Sequence, residues 1–233
     1  MDKVIVGITA HPDDHVVFAG TIFKLKEKGF KYYEIVLTGS SEGGDYRKNT
    51  VQDTDQIHDM RMHELSDAAE FLGVEEVYRF DEEDQNLTYS KELMHRIIPI
   101  LRKLKPQIVI GMNEDDVHPD HIAANQLTRE ALRWAAKSFR AEYGEAHRTP
   151  IALFAEGTEP IKPHLLVDVT DYYEQKENLF KKYLSQASPK DLDLLKSSAL
   201  IRGYHLRKKD GMYAEAFSTE KNILPILFDT DFV

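Results

Sequence analysis

The stretch Val4-Ile5-Val6-Gly7-Ile8-Thr9-Ala10-His11-Pro12-Asp13-Asp14-His15 decides how the rest of the chain is read. Residues 4–10 are short, apolar and β-branched, and a turn signal ends them, which predicts a strand buried on both faces of a sheet. The polar run then turns into a helix. Pro12 is expected at its first position, where proline's fixed φ and missing N–H cost nothing. Val16, Val17, Ala19, Ile22 and Phe23 face inward, Lys24, Lys26, Glu27 and Lys28 face outward, and Gly29 closes the helix.

The alternation continues outward from there. Strands are expected at 33–38, 77–80 and 108–111, and helices at 53–71, 91–103 and 121–137, with a glycine-bearing loop at 39–44. Strands that alternate with helices imply right-handed βαβ units and a largely parallel sheet. After Phe139 the pattern loosens, with strands expected at 151–154 and 165–169 and helices at 172–184 and 192–206. No linker divides the chain. The expectation is a Rossmann-like three-layer α/β fold, with helices on both faces of the sheet. Residues 1–233 form one domain in this reading, with a core at 1–138 and a C-terminal extension at 139–233.

The second informative phrase is Val117-His118-Pro119-Asp120-His121, which follows the apolar run 108–111. Both phrases set a histidine, a proline and carboxylates at the carboxyl end of a buried strand, where open α/β sheets keep their ligand sites. His11, Asp14 and His121 make a His₂-carboxylate triad that leaves a fourth position for water, as catalytic zinc requires. Asp13 points elsewhere and suits a general base for that water. His118 remains, and Asp120 is expected to hold its other ring nitrogen, favouring an imidazolium that steadies an oxyanion or protonates a leaving group. The histidines at 58, 95, 147, 164 and 205 read as surface or structural, and His63 as a helix-face residue.

Composition narrows the function. The 233 residues are 42% hydrophobic, and 30 basic residues stand against 40 acidic ones, for a net charge of -10. Without a basic cluster, nucleic acid and anionic membranes are disfavoured partners. There is no cysteine, so a metal site must use histidine and carboxylate. Charges interrupt every apolar stretch, so no membrane span is expected, and the N-terminus lacks a signal-peptide layout. A soluble cytoplasmic protein is the expectation.

With these residues in view, the sequence resembles the zinc-dependent de-N-acetylases that act on N-acetylglucosaminyl compounds, the LmbE-like or PIG-L-like family. The likeness runs from the first phrase through Val36-Leu37-Thr38-Gly39, Arg61-Met62-His63-Glu64 and the second phrase, with weaker echoes at Val167-Asp168-Val169-Thr170, Lys176, Ser185-Gln186 and 213–217. It implies a metal-dependent hydrolase that removes acetyl from an amino sugar, with one zinc on His11, Asp14 and His121, Asp13 as base, and His118 partnered by Asp120. It further implies Arg61 as a substrate contact, Asp84 as a sugar-hydroxyl ligand, and a homo-oligomer, trimer or hexamer. Two positions depart from the family pattern. His15 stands where relatives often carry Glu, and the exposed first-turn reading is preferred for it over a group behind the ligands. Asp116 stands where some relatives carry an oxyanion-binding Tyr, so that contribution is not expected here. Two other classes remain to be separated: a metallohydrolase of another bond, such as a phosphoester, and a non-catalytic metal- or sugar-binding module.

Overall fold

A computed structural model describes residues 3–48 and 50–219. The strand opened by the first phrase is β1 (Val4–Thr9), buried at all six positions. It lies between β2 (Lys31–Thr38) and β4 (Ile108–Met112), parallel to both, with β3 (Val77–Glu82) outside β2. β5 (Ile151–Ala155) extends the sheet beyond β4 and is also parallel. Helices α1 (Ala19–Glu27), α2 (Thr54–Leu72), α3 (Lys91–Leu104) and α4 (Pro119–Ala135) make the connections. Their apolar faces fill two cores, one on each side of the sheet. The chain therefore has the three-layer α/β architecture expected, with a mostly parallel sheet.

With β6 (Leu165–Asp168) and β7 (Ala214–Thr219) completing it, the sheet order β3-β2-β1-β4-β5-β7-β6 puts a topological switch between β1 and β4. The connections leave these two neighbours in opposite directions, opening a crevice at their carboxyl ends. Both His-Pro-Asp phrases open into it. Gly7 lets β1 run close to its neighbour, because a Cβ there would lie 2.2 Å from the Tyr32 hydroxyl.

Several expected boundaries moved. β7 (Ala214–Thr219) was not anticipated as a strand; it pairs antiparallel with β5 and with β6 (Leu165–Asp168). The expected helix at 172–184 stops early as α5 (Tyr173–Phe180), and the following turn bends Tyr183, Ser185 and Gln186 toward the crevice. α6 (Pro189–Leu206) begins three residues before the expected start, capped by the Ser188 side chain.

The helix after the first phrase differs most. Pro12 does not begin an α-helix: Asp14–Phe18 form 3₁₀ turns, and α1 starts only at Ala19. The cap explains this. The Asp14 carboxylate bends back onto the backbone N–H groups of Ala10 and His11, at 2.9 and 2.8 Å. The buried carboxylate of Glu215, on β7, instead accepts from Gly20 N and Thr21 N at 2.9 and 2.8 Å. That satisfies orphan donors of α1. Lys176 neutralises Glu215 at 2.6 Å and also donates to the Val17 carbonyl.

Candidate active site

The switch point brings three donor atoms together. His11 Nδ1 lies 3.2 Å from His121 Nε2, His121 Nε2 lies 3.1 Å from Asp14 Oδ1, and His11 Nδ1 lies 3.6 Å from the same oxygen. Tetrahedral bonds of about 2.0–2.1 Å put neighbouring ligand atoms roughly 3.3–3.4 Å apart. The triad therefore fits one ion with a fourth position open to the cavity.

Each member of the triad is held on its far side. Asp14 uses its other oxygen on the two backbone N–H groups described above. His121 Nδ1 faces Asp116 Oδ2 at 3.0 Å. His11 Nε2 faces Asp84 Oδ1 at 3.2 Å and Asp120 Oδ2 at 3.3 Å. Carboxylates behind metal-binding imidazoles fix the tautomer and raise ligand basicity.

These contacts correct one expectation and place two further carboxylates. Asp120 does not hold His118: its carboxylate faces His11 and accepts from the N–H groups of Gln85 and Leu87. Asp84 faces His11, accepts from the backbone of Glu42 and Gln85, and lies at the cavity wall with its carboxylate buried. Asp116 is the partner of His121 and also accepts from His118 N. His11, Asp84 and Asp120 could themselves group around an ion. Both carboxylates already accept from two backbone donors each and keep acceptor capacity, so we read them instead as acceptors for His11 Nε2–H.

His118 caps α4. Its Nδ1 accepts from Asp120 N at 3.2 Å, so the ring proton sits on Nε2. Burial, then the positive charges of His11 and His121, pull His118 below the ordinary imidazole value. With Nδ1 accepting from Asp120 N, the geometry fits a neutral ring in place of the expected imidazolium. The ring packs 4.6 Å from His11 and 4.8 Å from His121, centroid to centroid.

The surrounding carboxylates favour positive charge at the triad. Burial opposes the charged form of His121, but Asp14 and Asp116 hold it at about 10. His11 is likewise raised against its burial, first by Asp14. Burial also opposes ionisation of Asp14, and the two imidazoles outweigh it. Asp84 is held at about 2 against its burial, chiefly by its bond to His11.

Asp13 turns away from the triad and pairs with Arg61, a fully buried arginine on α2. Arg61 is thus tied to Asp13 first, and its Nε and Nη1 have no hydrogen-bond partner among the described residues. Glu64, one turn along α2, accepts from Ser185 N and Oγ at 2.7 and 2.6 Å. His15 is not exposed. It is fully buried between Glu34 and Tyr183, which overturns the preferred reading. A charged residue inside the otherwise apolar strand 33–38 was the available signal for a buried partner. Asp116 lay only five residues from His121, whereas nothing local marked Glu215 as a helix cap.

A cavity of about 410 Å³ opens over the triad. His11, Asp13, Asp14, Arg61, His118 and His121 line one part; Val17, Phe180, Leu194, Leu195, Ala199 and Ala214 form an apolar wall. That volume lies within the usual range for small-molecule sites.

Residues 6–132 match the PIG-L family model, described as GlcNAc-PI de-N-acetylase. The chain belongs to the PIG-L family. The PIG-L segment contains both His-Pro-Asp phrases but ends before Lys176, Tyr183 and Glu215. Among its relatives, the diacetylchitobiose deacetylase of Thermococcus kodakarensis is 30% identical over 193 residues, covering 79% of this chain and 70% of the relative. The N,N'-diacetylchitobiose deacetylase of Pyrococcus horikoshii superposes with a TM-score of 0.81 at 26% identity, over 99% of this chain and 89% of that one. GalB of Pseudomonas putida, a 4-carboxy-2-hydroxymuconate hydratase, superposes with a TM-score of 0.83 at 23% identity, over 97% and 98% of the two chains. That last likeness concerns the fold alone.

Proposed function

We propose that this PIG-L member hydrolyses the acetamide of an N-acetylglucosaminyl-type amino sugar or glycoside, using one zinc ion on His11, Asp14 and His121. The observation that carries the reading is the triad's spacing of 3.1 to 3.6 Å, with Asp13 and His118 on the same cavity. When bound, the ion supplies Lewis acidity and makes water acidic enough to act near neutral pH.

Asp13 takes a proton from the attacking water as its oxygen bonds to the acetyl carbon. The Arg61 guanidinium pairs with the Asp13 carboxylate and holds it in place for this step. His118 Nε2–H donates to the developing oxyanion, because its other nitrogen is occupied by the cap. Asp13 then returns its proton to the nitrogen as the C–N bond breaks, leaving acetate and a free amine. Asp120, Asp84 and Asp116 act behind the ligands by holding the imidazoles. Arg61 reaches substrate only through the edge that Asp13 leaves free.

The reading extends to a homo-oligomer, trimer or hexamer, and to one domain whose C-terminal part completes the sheet. Residues 220–233 of that domain assignment lie outside the described residues. No helix among the described residues is long and apolar enough to cross a membrane. The cytoplasm is proposed as the compartment.

The test is release of acetate from a panel of N-acetylated glucosaminyl glycosides, with metal analysis and light scattering on the same sample. Turnover with one zinc per chain is the expected result. Two metals per chain with phosphoester cleavage would replace this reading by the other hydrolase class. Stoichiometric zinc with no turnover on any glycoside would leave a binding module.

A further inference from the structure

Behind the first phrase runs a chain of buried hydrogen bonds that the reaction above does not use. Glu34 sits in β2, fully buried, with its two oxygens 2.8 and 2.9 Å from His15 Nδ1. His15 Nε2 lies 3.0 Å from the Tyr183 hydroxyl, which reaches the Pro12 carbonyl at 2.5 Å. His15 and Tyr183 are as fully buried as Glu34. The direction of each bond follows from the last acceptor. A carbonyl only accepts, so Tyr183 donates to Pro12 and must accept from His15 Nε2–H. His15 Nδ1 and Glu34 then share one further proton, whichever atom carries it.

The chain of bonds ends on the peptide that leads into Asp13. Asp13 is gripped on its other side by Arg61, whose guanidinium carbon lies 5.8 Å from the centre of the Tyr183 ring. The same turn supplies Ser185, which holds Glu64 on the Arg61 helix, and Gln186, which donates to the Gly44 carbonyl at 2.7 Å. One turn from outside the family-matched segment thus touches the backbone before the base, the helix that carries the base's arginine, and the glycine loop.

We propose that Tyr183, oriented by His15 and Glu34, is a positioning residue that fixes the Pro12–Asp13 peptide and so keeps the Asp13 carboxylate in its productive place beside the triad. This rests on Asp13 serving as the base of the proposed hydrolysis. A bond that served only folding would change stability and leave turnover of the folded enzyme alone. A positioning bond changes kcat through Asp13.

Tyr183→Phe removes one oxygen and keeps the ring. In the zinc-loaded protein it is expected to lower kcat by about 10- to 100-fold, the scale of a small misplacement, with KM and zinc content unchanged. In an Asp13→Asn background the same change is expected to alter the residual kcat by no more than about twofold, because the two act as one unit. A folded Tyr183→Phe enzyme with wild-type kcat, or an equal fractional loss in both backgrounds, would overturn the proposal. Histidine-¹⁵N NMR reads the geometry without turnover. A solvent-protected His15 Nε2–H signal is expected in the wild type and lost in Tyr183→Phe; its absence from the wild type refutes the relay. A wild type that releases no acetate counts against the deacetylase reading instead, and the NMR signal still decides the relay.

Discussion

After β1 the chain passes His11 and Pro12 into a 3₁₀ turn, and α1 waits until Ala19; after β4 it passes His118 and Pro119 directly into α4. The two corners carry the same three residue types, and the difference lies in where the capping acceptor comes from. At the second corner His118 caps its own helix through Asp120 N. At the first, Asp14 folds back onto Ala10 and His11, so it holds the triad and cannot cap; Glu215 supplies that bond from β7. The loose turn lets adjacent aspartates diverge, Asp14 to the triad and Asp13 to Arg61. The first corner is built for divergence and the second for rigidity.

The largest effects should separate ligand from base at the first corner. His11→Ala is expected to abolish both zinc retention and turnover. Asp13→Asn is expected to retain zinc while kcat falls by about 10²- to 10⁴-fold, the range for general acid–base catalysis. Metal analysis beside kinetics checks this, and zinc loss in Asp13→Asn would erase the distinction between the two aspartates.

Breaking the borrowed cap comes next. Glu215→Gln leaves Lys176 buried without its countercharge and is expected to cost about 3 kcal/mol, as when one partner of a buried pair is removed. Thermal unfolding measures it. The ligand spacing should survive, because the triad does not touch Glu215, so zinc stoichiometry of the folded variant should stay at one.

The carboxylates behind the imidazoles give a smaller effect. Asp116→Asn and Asp120→Asn, one behind His121 and one behind His11, are each expected to weaken zinc binding by about 10- to 100-fold. Competition with a chelator reads the change. A loss in turnover with no change in affinity would mean that Asp120 acts on the reaction and not through His11.

A pH slope in zinc-stripped protein tests the charge coupling at the triad. His121 rises from 6.5 to about 10, against burial, through Asp14 and Asp116. A raised imidazole contributes stability that is complete below the unfolded value and fades as pH climbs through the folded one. The melting temperature should therefore decline between pH 6.5 and 10, less steeply in His121→Gln. A flat profile in the wild type would remove the charge coupling between His121 and the second corner's Asp116.

Much of this was legible in residue order. The strands at 4–10 and 108–111 and the helix at 53–71 were set by local apolar spacing, and the structure departs from them only at their ends. β7 escaped because it slots antiparallel between β5 and β6 and carries a buried Glu215 in an otherwise small and apolar run. His15 was misread for a related reason. A polar residue in the first turn of a helix ordinarily faces water, and only the packing of β2 and Tyr183 closes over it.

The fold by itself does not choose the reaction, since a hydratase shares it at a TM-score of 0.83. The proposed chemistry rests on the donor set at the switch point. The sequence alone determined that set: two His-Pro-Asp phrases, each after a strand run, with the ligand types of a single open site. It also determined the βαβ alternation, because hydrophobic period and turn residues act over a few positions, whereas the sheet itself set β1 beside β4. Only the tertiary structure decided which carboxylate stands behind which histidine, where α1 begins, and that His15 is sealed inside. Asp84, Glu34, Tyr183 and Glu215 reach their partners across 19 to 195 residues. At those distances pairing is set by the packing of whole strands and helices and by the need to satisfy every buried charge, and local spacing records neither.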